Sequence, residues 1–146
     1  MSKMYAMFEG DSSLEQDGIW LDYTEFRIRA AHAGGANKSY AKLLDAKTKH
    51  LRRAIQTGSV QEDTLNTILI HVFAETIVRD WEVLDEDTGE WKRGIHDRDG
   101  NVIPVTQENV IKTFKALPNL FANVRDAVTN NTLYRKEELE EDAKNS

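Results

Sequence analysis

Apolar and polar residues alternate along IWLDY (19–23) and again along FRIRAAHA (26–33). Ile19, Leu21 and Tyr23 share one side of the first run, and Phe26, Ile28 and Ala30 share one side of the second. Only Thr24 and Glu25 separate them, so the pattern predicts a β-hairpin. From residue 37 to 56 the period becomes helical, with Tyr40, Leu43, Leu44, Leu51 and Ile55 in one apolar stripe. Lys47 interrupts that stripe and is expected to lay its stem along the core with its amine in water. Gly58 stops the helix. Ser59 and Glu62 have the spacing of a capping box, in which each side chain satisfies an orphan backbone N–H of the other. The helix they open is expected to run to Trp81. Leu65, Ile68, Leu69, Val72, Phe73 and Ile77 form one stripe on it, and Ile70, Ala74, Val78 and Trp81 begin a second. A helix apolar over this much of its circumference is either central or a surface awaiting a partner.

DEDTGEW (85–91) and HDRDGNVIPV (96–105) are rich in turn formers and predict a second, short hairpin. Thr106 caps a helix through Val110, Ile111 and Phe114, Pro118 breaks it, and Leu120, Phe121, Val124 and Val128 continue on another. Residues 1–18 have the look of a flexible polar leader, 19–134 of a single domain, and 135–146 of an acidic tail. The expected fold is mainly α (α+β): an N-terminal β-hairpin, then a bundle of about four to five helices with a short second hairpin in the middle.

Composition narrows the class. The 146 residues carry a net charge of −6 and no cysteine, which excludes disulfides and thiolate metal sites. No apolar run approaches a membrane span and the N-terminus has no signal-peptide core, so the expected location is a cytoplasm. The charge is uneven. Residues 1–60 hold nine Lys/Arg against seven Asp/Glu, and 61–146 hold ten against eighteen, so net +2 is followed by net −8. A chain split in this way can pair with a complementary partner or with copies of itself.

Candidate chemistry is sparse. AAHAGGANKSYAKL (30–43) has the outline of a phosphate loop, but GGANKS lacks the spacing of either a Walker or a dinucleotide motif. It reads as a tight strand-to-helix turn using positive φ, with Asn37 as N-cap. DEDTG and DRDGN lack calcium-loop spacing. His32, His50, His71 and His96 lie far apart, and His71 reads as a satisfied core or interface histidine. No catalytic, cofactor-binding or metal-binding set emerges. Lys38, Lys42, Lys49, Arg52 and Arg53 form a basic helix face, which is either a solvated surface or a docking face for an acidic partner. The acidic tail supplies Glu137, Glu138, Glu140, Glu141 and Asp142.

The segments AHAGGANKSYAKLLDAKTKHLRRAI, VFAETIVRDWEVLDEDTGE, DGNVIPVTQENVIKTFKALPNLFANVRDAV and EEDAKNS, in this order over residues 19–146, resemble the tail assembly chaperones of long-tailed, siphovirus-type bacteriophages. Residues 1–18 carry no part of the match. The resemblance implies a small, mostly helical, non-enzymatic factor without cofactors that self-associates and can form a spiral. It would act in the host bacterial cytoplasm, coat the tape measure protein, and be absent from the mature virion. A longer form made by ribosomal frameshift would recruit the tail tube protein, and Ala143-Lys144-Asn145 can be encoded with a slippery heptamer. No nucleic acid or membrane partner is implied. Under this reading the partner and self-association surface comprises Lys38, Lys42, Lys49, Arg52 and Arg53, the second stripe Ile70, Ala74, Val78 and Trp81, and the tail acids Glu137, Glu138, Glu140 and Glu141. The alternative is a small nucleic-acid-binding or regulatory protein using the basic face of 38–53.

Overall fold

The computed structural model describes residues 2–135. The N-terminal hairpin forms as its alternation predicts. β1 (Ile19–Asp22) pairs antiparallel with β2 (Phe26–Ala30), placing Leu21 opposite Ile28. The hairpin extends into a four-stranded antiparallel sheet in the order β1-β2-β3-β4, with β3 at Val78–Leu84 and β4 at Trp91–Arg93. One face of the sheet carries Ile28, Ala30 and Trp81 into the core. On the other face, the Arg27 guanidinium lies 4.1 Å from the Trp20 ring and 4.4 Å from that of Trp91. It also donates to Glu82 through Nε at 2.8 Å.

Five short or medium helices lie around the chain besides the two nearest the N-terminus. The expected flexible leader contains α1 (Lys3–Phe8) and α2 (Ser12–Asp17), the latter capped by the Asp11 carboxylate. α3 (Lys38–Thr48) continues through a 3-10 turn at Lys49–Leu51 into α4 (Arg52–Gln56), and Gly58 at φ 70° follows the end of α4. α5 spans Glu62–Thr76, α6 Gln107–Ala116 and α7 Pro118–Val128. The Thr106 hydroxyl accepts from the Asn109 N–H and Pro118 opens α7, both as their local chemistry predicts.

Three expectations change. The helix drawn to Trp81 ends at Thr76, so Val78 and Trp81 stand on β3. Valine and tryptophan fit the helical stripe by spacing, yet both suit a pleated strand, and pairing with β2 decides between the two. The capping box at Ser59 and Glu62 does not form: Gln61 is the N-cap and Ser59 Oγ turns back to the Ala54 carbonyl at 3.3 Å. The turn-rich middle holds two hairpins rather than one. Residues 85–90 join β3 to β4, and 97–101 join β5 (Ile95–His96) to β6 (Val102–Ile103).

The core lies between the sheet and α5, α6 and α7. Phe73 and Phe114 each sit 5.2 Å from the Phe121 ring, in edge-on and tilted contacts. Trp81 is fully buried and donates its indole N–H to the Ile103 carbonyl at 3.1 Å.

The Gly-Gly segment ties these layers together. Ala31 N–H donates to the Ile77 carbonyl, His32 N–H to that of Glu15, and Ala33 N–H to that of Val128. Asn37 sits at the start of α3, but its side chain does not cap that helix. Its amide is buried and donates to the His32 and Thr76 carbonyls at 2.8 and 3.1 Å. Tyr134 donates its hydroxyl to the Ala30 carbonyl, and burial pushes the phenol pKa far above its usual value. Gly35 has φ 54° and faces the Glu15 carboxylate so closely that an added Cβ would collide with it.

Gly35→Ala is therefore expected to cost about 1–3 kcal/mol from the left-handed backbone alone, with the collision adding to it. Gly89→Ala, at φ 72° with open space around it, should cost only the backbone part. Thermal unfolding checks both, and Glu15→Ala should recover part of the Gly35→Ala loss and none of the Gly89→Ala loss.

Candidate functional site

Among the described residues, no three His, Cys, Asp or Glu side chains converge as metal ligands. The buried histidine is His32, while His71 is half-buried and His50 and His96 are exposed. His32 lies 3.7 Å from a Glu15 oxygen and 4.6 Å from the Tyr134 ring, with no hydrogen-bond partner for either nitrogen. The Gly-Gly loop turns its Ala36 N–H toward the chain's own Glu15 carboxylate at 3.3 Å. Its polar groups therefore serve internal docking of α2 against the loop.

The basic face forms as one surface. Positions 38, 42, 45, 49, 52 and 53 fall on a single side of a helix of 3.6 residues per turn. Lys38, Lys42, Lys49, Arg52 and Arg53 are all exposed, and among the described residues Arg52 is ion-paired to Asp45 at 3.0 Å. An exposed pair of this kind contributes about 0–1 kcal/mol. The acids assigned to the same surface, Glu137, Glu138, Glu140 and Glu141, lie outside the described residues.

The second apolar stripe is not a surface. Ile70 is 2% exposed, Ala74 6%, Val78 8% and Trp81 0%. Ile70 and Ala74 share one core cluster with residues of α6 and α7, and β3 carries Trp81 into the same cluster. These residues hold the domain together and are unavailable to a partner while it is folded.

Other apolar positions are left uncovered. No side chain from 38 to 69 is buried. In that stretch α3, the 3-10 turn, α4 and the first half of α5 make a two-helix arm in which, among the described residues, α3 packs chiefly against α5. Tyr40 marks the base, with its ring 5.9 Å from that of Phe73. Farther out, Leu43, Leu44, Leu51, Leu65 and Ile68 are half-buried and Ile55 is exposed. Lys47 is exposed in the middle of the apolar stripe. Two helices bury one seam between them and leave the flanks of both stripes for a third helix.

A second uncovered surface is α1. Met4, Tyr5, Met7 and Phe8 are between 50% and 73% exposed. Sequence reasoning missed it because six residues are too few to show a period, and the flanking polar residues masked four large apolar side chains within five positions. A third feature is a cleft of about 470 Å³ between the β5–β6 hairpin and the end of α6, floored by Ile103, Ala116 and Leu117.

With the geometry described, comparison with known proteins adds an origin. The chain belongs to the YdaY prophage protein family, whose model matches residues 35–145. No curated protein and no solved structure matches it. The protein is thus phage-derived, and among the described residues no helix is long and apolar enough to cross a membrane.

The two sets of sequence-predicted partner residues should separate cleanly on mutation. Trp81→Ala removes a fully buried side chain and should cost about 3–5 kcal/mol. Lys42→Glu, on the exposed face, should change stability by no more than about 0.5 kcal/mol. Urea unfolding followed by tryptophan fluorescence and circular dichroism measures both.

Proposed function

We propose that this member of the YdaY prophage protein family is a phage tail assembly chaperone, acting on the tape measure protein in the host cytoplasm and absent from the finished virion. The observation that carries this reading is the arm of residues 38–69, which has apolar positions at helical spacing and no buried side chain. A long tape measure helix with an apolar stripe has nothing to pack on before the tube surrounds it, and it aggregates if left bare. An apolar seam between two helices receives such a stripe in the helix-in-groove mode. Each contact can be weak. Many copies side by side hold by avidity, and the growing tube removes them one at a time. No cofactor or energy source enters the scheme. Recruitment of the tail tube protein belongs, on this reading, to a frameshifted longer form.

A second reading rests on the exposed basic face: binding of a nucleic acid through Lys38, Lys42, Lys49, Arg52 and Arg53. Against it stand the net charge of −6 and the placement of Tyr40, the one Phe, Trp or Tyr between those cations, whose ring packs 5.9 Å from that of Phe73. The two readings differ in salt dependence. Phosphate contacts would give a steep fall in affinity with added salt, whereas apolar docking on the arm would not.

Co-expression with a tape measure protein of the same prophage, followed by co-purification, tests the proposal. The intact chain should be retained. Leu44→Asp with Leu51→Asp should weaken retention by about tenfold or more, since each removes an apolar anchor worth over 1 kcal/mol. The double variant should keep the circular dichroism of the body, because neither side chain is buried. Equal retention of the double variant would refute the arm as the client surface.

A further inference from the structure

The described chain ends beside the exposed apolar face of α1. Gly10 and Arg135 form an isolated antiparallel bridge, and the Asp11 N–H donates to the Tyr134 carbonyl at 2.8 Å. Arg135 has φ −85° and ψ 146°, and Glu9 has φ −77° and ψ 118°, so the backbone is extended on both sides of the bridge where it meets α1. The Arg135 guanidinium lies 5.8 Å from the Phe8 ring. Its Nε is buried and, among the described residues, meets no hydrogen-bond acceptor. Met4, Tyr5, Met7 and Phe8 are between 50% and 73% exposed.

We propose that residues 136–142 of the same chain lie across α1 and cover it, with Leu139 as the anchor. The bridge sets the direction. In an antiparallel pair, each step forward on one strand meets a step back on the other, so the chain after Arg135 heads from Gly10 toward Phe8. The same register puts Lys136 opposite Glu9, which is an opposite-charge pair. Alternation sets the side. Positions 135, 137 and 139 of an extended run share one face, and Arg135 turns that face to Phe8. Glu137 therefore follows as an acceptor for the unpartnered Nε, and Leu139 follows as the apolar contact. Leu139 is the one apolar residue between 136 and 142. The reach suffices: four extended residues carry Leu139 about 13 Å beyond Arg135. Met4 lies about 6 Å behind Phe8 along the helix. The acids after the anchor, Glu140, Glu141 and Asp142, then arrive at the first turn of α1, where Lys3 is exposed. The tail acts as a cover over an adhesive patch, and α1 is open to an apolar partner only when the tail leaves. The contact lies within one chain and needs no client, so its outcome is independent of whether a tape measure helix binds the arm.

A spin label on the tail tests it. The chain has no cysteine and its three methionines are Met1, Met4 and Met7, so Glu141→Cys gives one attachment point and α1 carries two methyl reporters. In the full chain, a nitroxide at that position should broaden the Met4 and Met7 methyl signals in carbon-13 NMR, and reducing the nitroxide should restore them. Leu139→Ser and, separately, Phe8→Ser should each lower the docked-to-free ratio by about tenfold, and the broadening with it. Phe8 is exposed, so its variant should keep the circular dichroism spectrum of the intact chain. Lys42→Glu with Lys49→Glu should leave the broadening unchanged, because the tail is not on the basic face. Mixing spin-labelled chains with separate isotope-enriched chains should produce no broadening, since the contact is made in cis. An intact chain without broadening, broadening that survives Leu139→Ser or Phe8→Ser, broadening carried between copies in the mixture, or broadening lost with the lysine substitutions would each overturn the proposal.

Discussion

The segment from Ala30 to Asn37 is the constraint on which the rest of the molecule depends. Within eight residues it leaves the sheet, accepts the Tyr134 hydroxyl on Ala30, and donates backbone N–H groups to Ile77, Glu15 and Val128. It then closes on a buried Asn37 amide shared between the His32 and Thr76 carbonyls. Each bond contributes only about 1 kcal/mol net, but an orphaned buried partner costs more, so the set is maintained together. Gly35 matters here because the chain must turn against the Glu15 carboxylate with no room for a side chain. What resembles a nucleotide loop in outline is the joint between the sheet, α2, the end of α5, the end of α7 and the 3-10 turn Asn131–Tyr134.

Function follows from what this joint fixes and what it leaves free. Below it, the sheet and the second half of α5 with α6 and α7 enclose the aromatic cluster of Phe73, Phe114 and Phe121. Beyond it, α3 and α4 run outward with their cations on one side and a partly covered apolar stripe on the other. The same helix thus offers two chemistries. On the proposed reading the cations would influence approach and orientation through long-range, salt-screened attraction, while apolar contact would supply most of the affinity. A phage-derived protein with a rigid body and an uncovered helical arm has the parts that holding another helix temporarily requires.

Features decided within a few residues were legible in the sequence. The alternation of 19–30, the Thr106 cap and the Pro118 break depend on neighbours along the chain, and each appears where its chemistry places it. The basic face was legible because charged side chains declare a surface wherever they fall. The end of α5 was not. Val78 and Trp81 satisfy helical and pleated spacing alike, and a strand about fifty residues away settles the matter. Nor could the sequence say which stripe of a doubly apolar helix is covered. Ile70 and Ala74 are buried in the core cluster that α5 shares with α6 and α7, whereas Leu65 and Ile68 on the same helix are only half-buried. α1 was lost for want of length.

Hydrogen exchange measured by mass spectrometry, on the chain alone and mixed with a tape measure fragment, tests the central claim most directly. Amides of residues 38–69 should exchange much faster than those of β2, β3 and α7 in the free protein, because no buried side chain locks the arm. On adding the fragment, protection should rise in the arm and remain unchanged in the sheet. An arm as protected as the core in the free chain, or one whose exchange ignores the fragment, would contradict the account.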